Sequence, residues 1–165
     1  MRDSSAGERL VAVRASDQFH AGIVVDNLEA ATADLAQIFG YEWSPTLTVP
    51  IPVTFPSEDG KAERTVELTF TYSVTTPRLE LVATVPGTLW SPVAGVHHLG
   101  YWSDDLHADE KLLEARGYTK EALGAAPDGS PIWSYHRKAN GFRVEMVNRQ
   151  LRSFLEKYWT PADFR

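Results

Sequence analysis

The chain contains no cysteine. That absence removes disulfide staples, thiolate metal ligands and thiol nucleophiles together. Any metal must then be bound through His, Asp or Glu, a donor set that suits Co, Ni, Mn, Zn or Fe. Basic residues are also scarce, with 16 Lys and Arg against 22 Asp and Glu and a formal net charge of −6. Nucleic-acid binding needs a basic face to neutralise phosphates, so it is not expected. Long apolar runs are missing too. None approaches the roughly 18–20 residues that span a bilayer, and residues 1–16 lack the ~7–15-residue apolar core of a secretory leader. The expectation is a cytoplasmic protein with no membrane partner. No Gly-rich phosphate loop, Ser/His/Asp set or zinc-protease helix motif occurs.

What is present is globular. At 43% hydrophobic and 23% charged over 165 residues, the chain suits one well-packed domain and leaves disorder out of contention.

An internal repeat organises that domain. HAGIVVDNLEAATADLAQIFGY, from His20 to Tyr41, aligns with HLGYWSDDLHADEKLLEARGY, from His98 to Tyr118. His20 matches His98, Gly22 matches Gly100, Asp26 matches Asp104, and Gly40-Tyr41 matches Gly117-Tyr118. The shared order of His, Gly, Asp, Leu, helix and Gly-Tyr is better explained by duplication than by chance.

Each copy opens on a β-rich run, 19–25 and 96–102. Asp26 and Asp104 follow at the positions where helix N-caps belong. Leu28, Ala31, Leu35, Ile38 and Phe39 keep a helical apolar spacing, and Leu106, Leu112, Leu113 and Ala115 do so less fully. Gly40 and Gly117 sit just past the helix ends. Strands are expected over 41–55, 63–74 and 78–84, and again over 118–123, 131–138 and 142–148. The turns between them are Ser57-Glu58-Asp59-Gly60, Thr76-Pro77 and Asn140-Gly141, the last a two-residue hairpin signal. Pro and Gly mark 86–95 as a linker. The expected organisation is an arm over 1–17 whose LVAV adds an edge strand, a domain over 18–148 and a helical tail over 149–165 packed on the outside. The domain divides into modules 18–85 and 96–148. The fold class is α+β, two βαβββ modules closing around a shared, metal-centred concavity.

Strand position singles out four side chains. His20 and His98 stand at equivalent points of the two first strands. Glu80, in RLELV, and Glu145, in FRVEMV, lie in the last strand of each half, flanked by apolar residues. Taken singly, each is more commonly a packed or solvent-facing strand residue. Taken together, one His and one Glu from each half would compensate one another around a divalent cation. The repeat favours His98 over His97 as the ligand and turns His97 the other way. Trp43, Trp102, Trp133 and Tyr135 are candidates for a pocket or for plain core. Arg143 shares a strand face with Glu145 and is a candidate for steering an anion. His107 and His136 read as surface residues.

FHAGIVVDNLEAA, RLELV, VHHLGYWSDDL and FRVEMV together resemble the vicinal oxygen chelate superfamily. That superfamily includes glyoxalase I, methylmalonyl-CoA epimerase, extradiol dioxygenases and bleomycin-resistance proteins. The resemblance covers roughly 18–148. VHHLGYWSDDL is most similar to the epimerase-like branch, whereas Glu80 matches the ligand set of bacterial glyoxalase I. It implies a glyoxalase-like fold with His20, Glu80, His98 and Glu145 as ligands of one divalent ion, and a homodimer. It also implies that a small-molecule substrate chelates through two neighbouring oxygens. Glu145 is then the candidate base, if it leaves the metal, and Glu67 is a second candidate base. The implied activity is an isomerase or epimerase working through an enolate on a small carbonyl or acyl-thioester. Alternatives are a glyoxalase I-like lyase on a thiol–2-oxoaldehyde adduct and a non-catalytic antibiotic-binding protein. An Fe(II) dioxygenase is disfavoured by a fourth protein ligand.

Overall fold

Alternating apolar and polar residues build eight strands, and two 3.6-periodic segments interrupt them, in a computed structural model that describes residues 13–57 and 60–160. The first half runs β1 (Gln18–Val25), α1 (Leu28–Phe39), β2 (Leu47–Ser57), β3 (Gly60–Tyr72) and β4 (Leu79–Ala83). The second half repeats that order as β5 (His98–Ser103), α2 (Leu106–Ala115), β6 (Tyr118–Ala125), β7 (Pro131–Lys138) and β8 (Arg143–Asn148). A last helix, α3 (Arg152–Trp159), follows. The edge strand read in the N-terminal arm lies outside the described residues, as does most of the Ser57–Gly60 turn. None of the described helices is long and apolar enough to cross a membrane.

The strands close into a barrel in the order β1-β4-β3-β2-β6-β7-β8-β5. Within each module the first strand pairs parallel with the last, β1 with β4 and β5 with β8. The modules then join at both free edges, β1 antiparallel to β5 and β2 antiparallel to β6. Closure satisfies backbone groups that either module alone would leave open. It also makes every strand two-faced. Inward residues of all eight strands share one core that includes Val24, Ile51, Leu68, Val82, Trp133 and Val147. Outward Val144 and Met146 form a smaller cluster with Leu106 beneath α2.

Three local expectations need correction. The helices start one residue later than the aspartates suggested. Asn27 and Asp105 are the N-caps, accepting from the amides of Ala30 at 2.9 Å and Ala108 at 3.0 Å. Asp26 instead accepts from Thr84 Oγ1 at 2.7 Å, and Asp104 pairs with Arg149 at 2.6 Å, so both tie helix starts to other segments. The tail is not an outer appendage. Its Leu155 and Trp159 are buried in the barrel core, with Trp159 edge-on to Tyr72 at 5.0 Å. Conversely, α1 has no fully buried residue, and Ile38 and Phe39 stand in solvent despite their helical spacing.

Candidate metal centre

The barrel's closure carries the site. In β1 the inward positions are His20, Gly22 and Val24; in β5 they are His98, Gly100 and Trp102. Antiparallel pairing sets His20 opposite Gly100 and His98 opposite Gly22. Each ring lies across the glycine of the other module. A Cβ on Gly22 would come within 1.9 Å of the His98 ring, and one on Gly100 within 1.9 Å of the His20 ring. Only glycine permits so close an approach. The outer neighbours complete the set, because Glu80 of β4 pairs with Gly22 and Glu145 of β8 pairs with Gly100.

Four buried side chains therefore converge inside the barrel. His20 Nε2 is 3.0 Å from His98 Nε2, 3.4 Å from Glu80 Oε2 and 3.1 Å from Glu145 Oε2. His98 Nε2 is 3.2 Å from Glu80 Oε2 and 3.5 Å from Glu145 Oε2. Donor atoms on a cation with bonds of about 2.0–2.2 Å stand about 3–3.5 Å apart when they are tetrahedral or adjacent octahedral neighbours. The separations in the cluster match that spacing. Glu145 Oε2, though only 3.1 Å from His20 Nε2, is buried without a hydrogen-bonding partner. Close approach without hydrogen-bond geometry is what shared coordination produces. Among the described residues no other group of three or more such ligands comes together. The donor set thus fits a divalent cation.

Electrostatics point the same way. Burial opposes the His20 imidazolium, yet Glu80 and Glu145 carry its pKa up to about 9. His98 is raised too, burial opposing and the same two carboxylates prevailing. Against their own burial, both carboxyls are held below the usual range by the imidazoles. Without a cation the cluster therefore retains protons on its histidines, and a cation would displace them.

His97 was expected to face away. It is buried, and its Nδ1 lies 3.0 Å from Nδ1 of His98 while its Nε2 lies 2.8 Å from the Leu89 carbonyl oxygen. A carbonyl only accepts, so His97 Nε2 carries hydrogen. Burial lowers the His97 pKa to about 4, so its Nδ1 is a free acceptor and His98 Nδ1–H donates to it. Once a cation displaces the Nε2 proton, His98 Nε2 is left with its lone pair aimed at the cluster. A chain of two hydrogen bonds from a main-chain carbonyl thereby selects the tautomer that a metal ligand would need. His20 has no counterpart, since its Nδ1 is buried without a partner.

Other candidates fall elsewhere. Glu67 is exposed between inward Val66 and Leu68 of β3, so the structure does not bring it to the cluster. Arg143 does share the Glu145 face, but Glu121 neutralises it at 2.5 Å. Trp43 sits outside the barrel, donating to Thr32 O at 3.0 Å, and Trp102 stacks on Phe19 at 3.7 Å. His107 is exposed as expected, whereas His136 is fully buried under α2 with neither ring nitrogen paired. Trp133 and Tyr135 face inward, and they join Trp90, which lies in the segment read as a linker. Tyr135 stands edge-on to His98 at 5.0 Å and Tyr72 to His20 at 5.6 Å. Burial first, and the two carboxylates second, push both phenols well above their usual pKa, so they stay protonated. Beside Glu80 and Glu145 a cavity of about 160 Å³ opens, walled by apolar side chains.

The family model of the Glyoxalase/Bleomycin resistance protein/Dioxygenase superfamily matches residues 19–135. No curated protein matches the chain. Among solved structures, a Streptomyces coelicolor methylmalonyl-CoA epimerase in complex with 2-nitronate-propionyl-CoA is similar at 17% identity and a TM-score of 0.53. That likeness covers 80% of this chain and 96% of the epimerase. A methylmalonyl-CoA epimerase in complex with methylmalonyl-CoA and NH4+ gives the same identity and TM-score over 80% and 93% of the two chains. At such identity the likeness is one of fold. With the family match covering most of the barrel, the chain belongs to the Glyoxalase/Bleomycin resistance protein/Dioxygenase superfamily.

Proposed function

We propose that this protein is a divalent-metal-dependent isomerase or epimerase that moves a proton on the carbon beside a carbonyl of a small substrate. One observation carries the reading: His20, Glu80, His98 and Glu145 offer ligand atoms that all lie within 4.8 Å of one another inside the barrel. A cation held there supplies Lewis-acid stabilisation of charge developing on two neighbouring substrate oxygens, an effect worth several kcal/mol. The chain's residues do the rest. His20, His98 and Glu80 hold the ion, and His97 keeps the lone pair of His98 directed at it. Glu145 belongs to the ligand set and also lines the adjoining cavity, which supports its carboxylate, once it leaves the cation, as the base that takes a proton from substrate carbon. The apolar walls of that cavity offer water few partners, which limits stray protonation of a carbanion-like species. Two solved proteins of similar fold are epimerases bound to methylmalonyl-CoA or 2-nitronate-propionyl-CoA, which supports proton transfer beside an acyl carbonyl as the reaction class.

The test is metal analysis of protein purified without chelator, followed by solvent deuterium exchange into candidate 2-oxo compounds and acyl-thioesters. Glu145→Gln keeps a metal-capable oxygen and removes the base. It should retain metal and lose exchange by roughly two orders of magnitude, the scale of a general-base contribution. Wild-type protein that binds no metal in titration calorimetry, or Glu145→Gln that exchanges at the wild-type rate, ends this reading. Oxygen consumption with catechols would move it to dioxygenase chemistry.

A further inference from the structure

The cavity beside the cluster has a definite size and a definite polarity. It measures about 160 Å³, close to the roughly 150 Å³ that accommodates a benzene ring in a dry protein interior. Its walls include Ile51, Leu68 and Val82 from one module and Trp90, Trp133 and Val147 from the linker and the other module. Leu151, Phe154 and Leu155, at and within α3, form the remaining side. The charged groups lining it are Glu80 and Glu145, and no lysine or arginine joins them. Arg143, the nearby cation on the Glu145 face, is committed to Glu121 through two hydrogen bonds at 2.5 and 3.1 Å.

Resting on the metal-dependent reading above, we infer that this cavity selects a substrate whose chelating oxygens carry a compact, uncharged apolar group of single-ring size. The group sits against Ile51, Leu68, Trp90 and Trp133, and α3 limits its length. An anionic group there would be desolvated against an apolar wall that offers no lysine or arginine to pair with it, so a malonyl-type substrate with a free carboxylate is disfavoured. A methyl in place of the ring would leave most of the cavity empty and forfeit the contacts of its lining.

Hydroxamates separate the head from the tail. Acetohydroxamate, benzohydroxamate and 4-carboxybenzohydroxamate share one chelating head and differ only in what enters the cavity. Titration calorimetry on cobalt-loaded protein should show benzohydroxamate binding about a hundredfold tighter than acetohydroxamate, from burial of the ring. The added carboxylate should remove at least tenfold of that gain. Leu68→Trp, which fills the cavity, should weaken benzohydroxamate while acetohydroxamate binding reports an intact centre. Equal affinities of the acetyl and benzoyl compounds for the wild type overturn the pocket assignment and leave the metal reading standing. Tighter binding of the carboxylated ring also overturns it. Failure of all three to bind the loaded protein overturns the inference, and failure of cobalt to load removes the metal reading along with it.

Discussion

His97 and His98 are adjacent in the chain and do different work. His98 presents Nε2 to the cluster, and His97 holds the opposite nitrogen of that ring through a 3.0 Å contact. Replacing His98 with Ala should abolish most metal binding. His97→Ala should cost about 10–100-fold in affinity, the usual effect of losing a partner that orients a ligand. Calorimetric titration of both variants checks the order; equal losses would contradict it. The His20 pKa near 9 sets a second expectation at this scale. The folded value lies above the unfolded value of about 6.5, so the ion pairs of the metal-free cluster stabilise fully below that pH. That stability is lost as pH rises through about 9. Chelator-treated protein should melt at a lower temperature at pH 9.5 than at pH 6. Saturating metal should oppose the trend, because the deprotonated imidazole is the ligating form.

Among the elements, the two crossover helices and the tail are unequal. Asp105 caps α2 through its side chain, whereas Asp104 one residue earlier serves Arg149 at the surface. Asp105→Ala should cost about 1 kcal/mol, and Asp104→Ala less, since an exposed pair contributes little. Leu155 of α3 is buried in the core and Phe154 beside it is half exposed. Leu155→Ala should cost about 2–5 kcal/mol and Phe154→Ala much less. Urea unfolding distinguishes α3 as part of the core from α3 as an appendage, for which the two losses would be alike. The opposite case is α1, which leaves Ile38 and Phe39 exposed.

At the scale of the whole molecule, the two modules are joined at two seams, and the site spans the β1–β5 seam. A cation there ties both modules together, so saturating metal should raise the melting temperature by mass action on the folded state. Differential scanning of protein with and without Co or Zn measures the shift. We also propose that the chain forms a homodimer, with each site inside one chain or shared across the interface. Light scattering at micromolar concentration should report twice the 18.4 kDa chain mass, and a monomer would refute it.

The four clustered side chains were legible because duplication writes them twice. His20 and His98 occupy matching positions, each followed after one residue by a glycine, and that glycine is what the opposite ring needs. Glu80 and Glu145 were legible as carboxylates stranded among apolar neighbours. Alternation likewise marked the strands, whose observed bounds lie within a few residues of the expected ones except at the start of β2. Pairing and covering were not written in that way. The caps shifted by one residue because both Asp26-Asn27 and Asp104-Asp105 offer two side chains of equal capping power, and only packing decides which is taken. Glu67 and Glu80 look alike as strand glutamates with apolar neighbours. Register turns one outward and the other into the barrel. Periodicity shows which residues of a segment share a side, whereas which side is inside depends on what the rest of the chain lays against it. The same limit made His136 read as surface, Trp90 as linker and α3 as an outer tail, since each is covered by segments distant in the sequence. Local sequence determined the eight strands, the repeat and the residue types of the cluster. Tertiary closure decided the 3.0–3.5 Å convergence and the apolar cavity beside it, because those arise from contacts between the two halves.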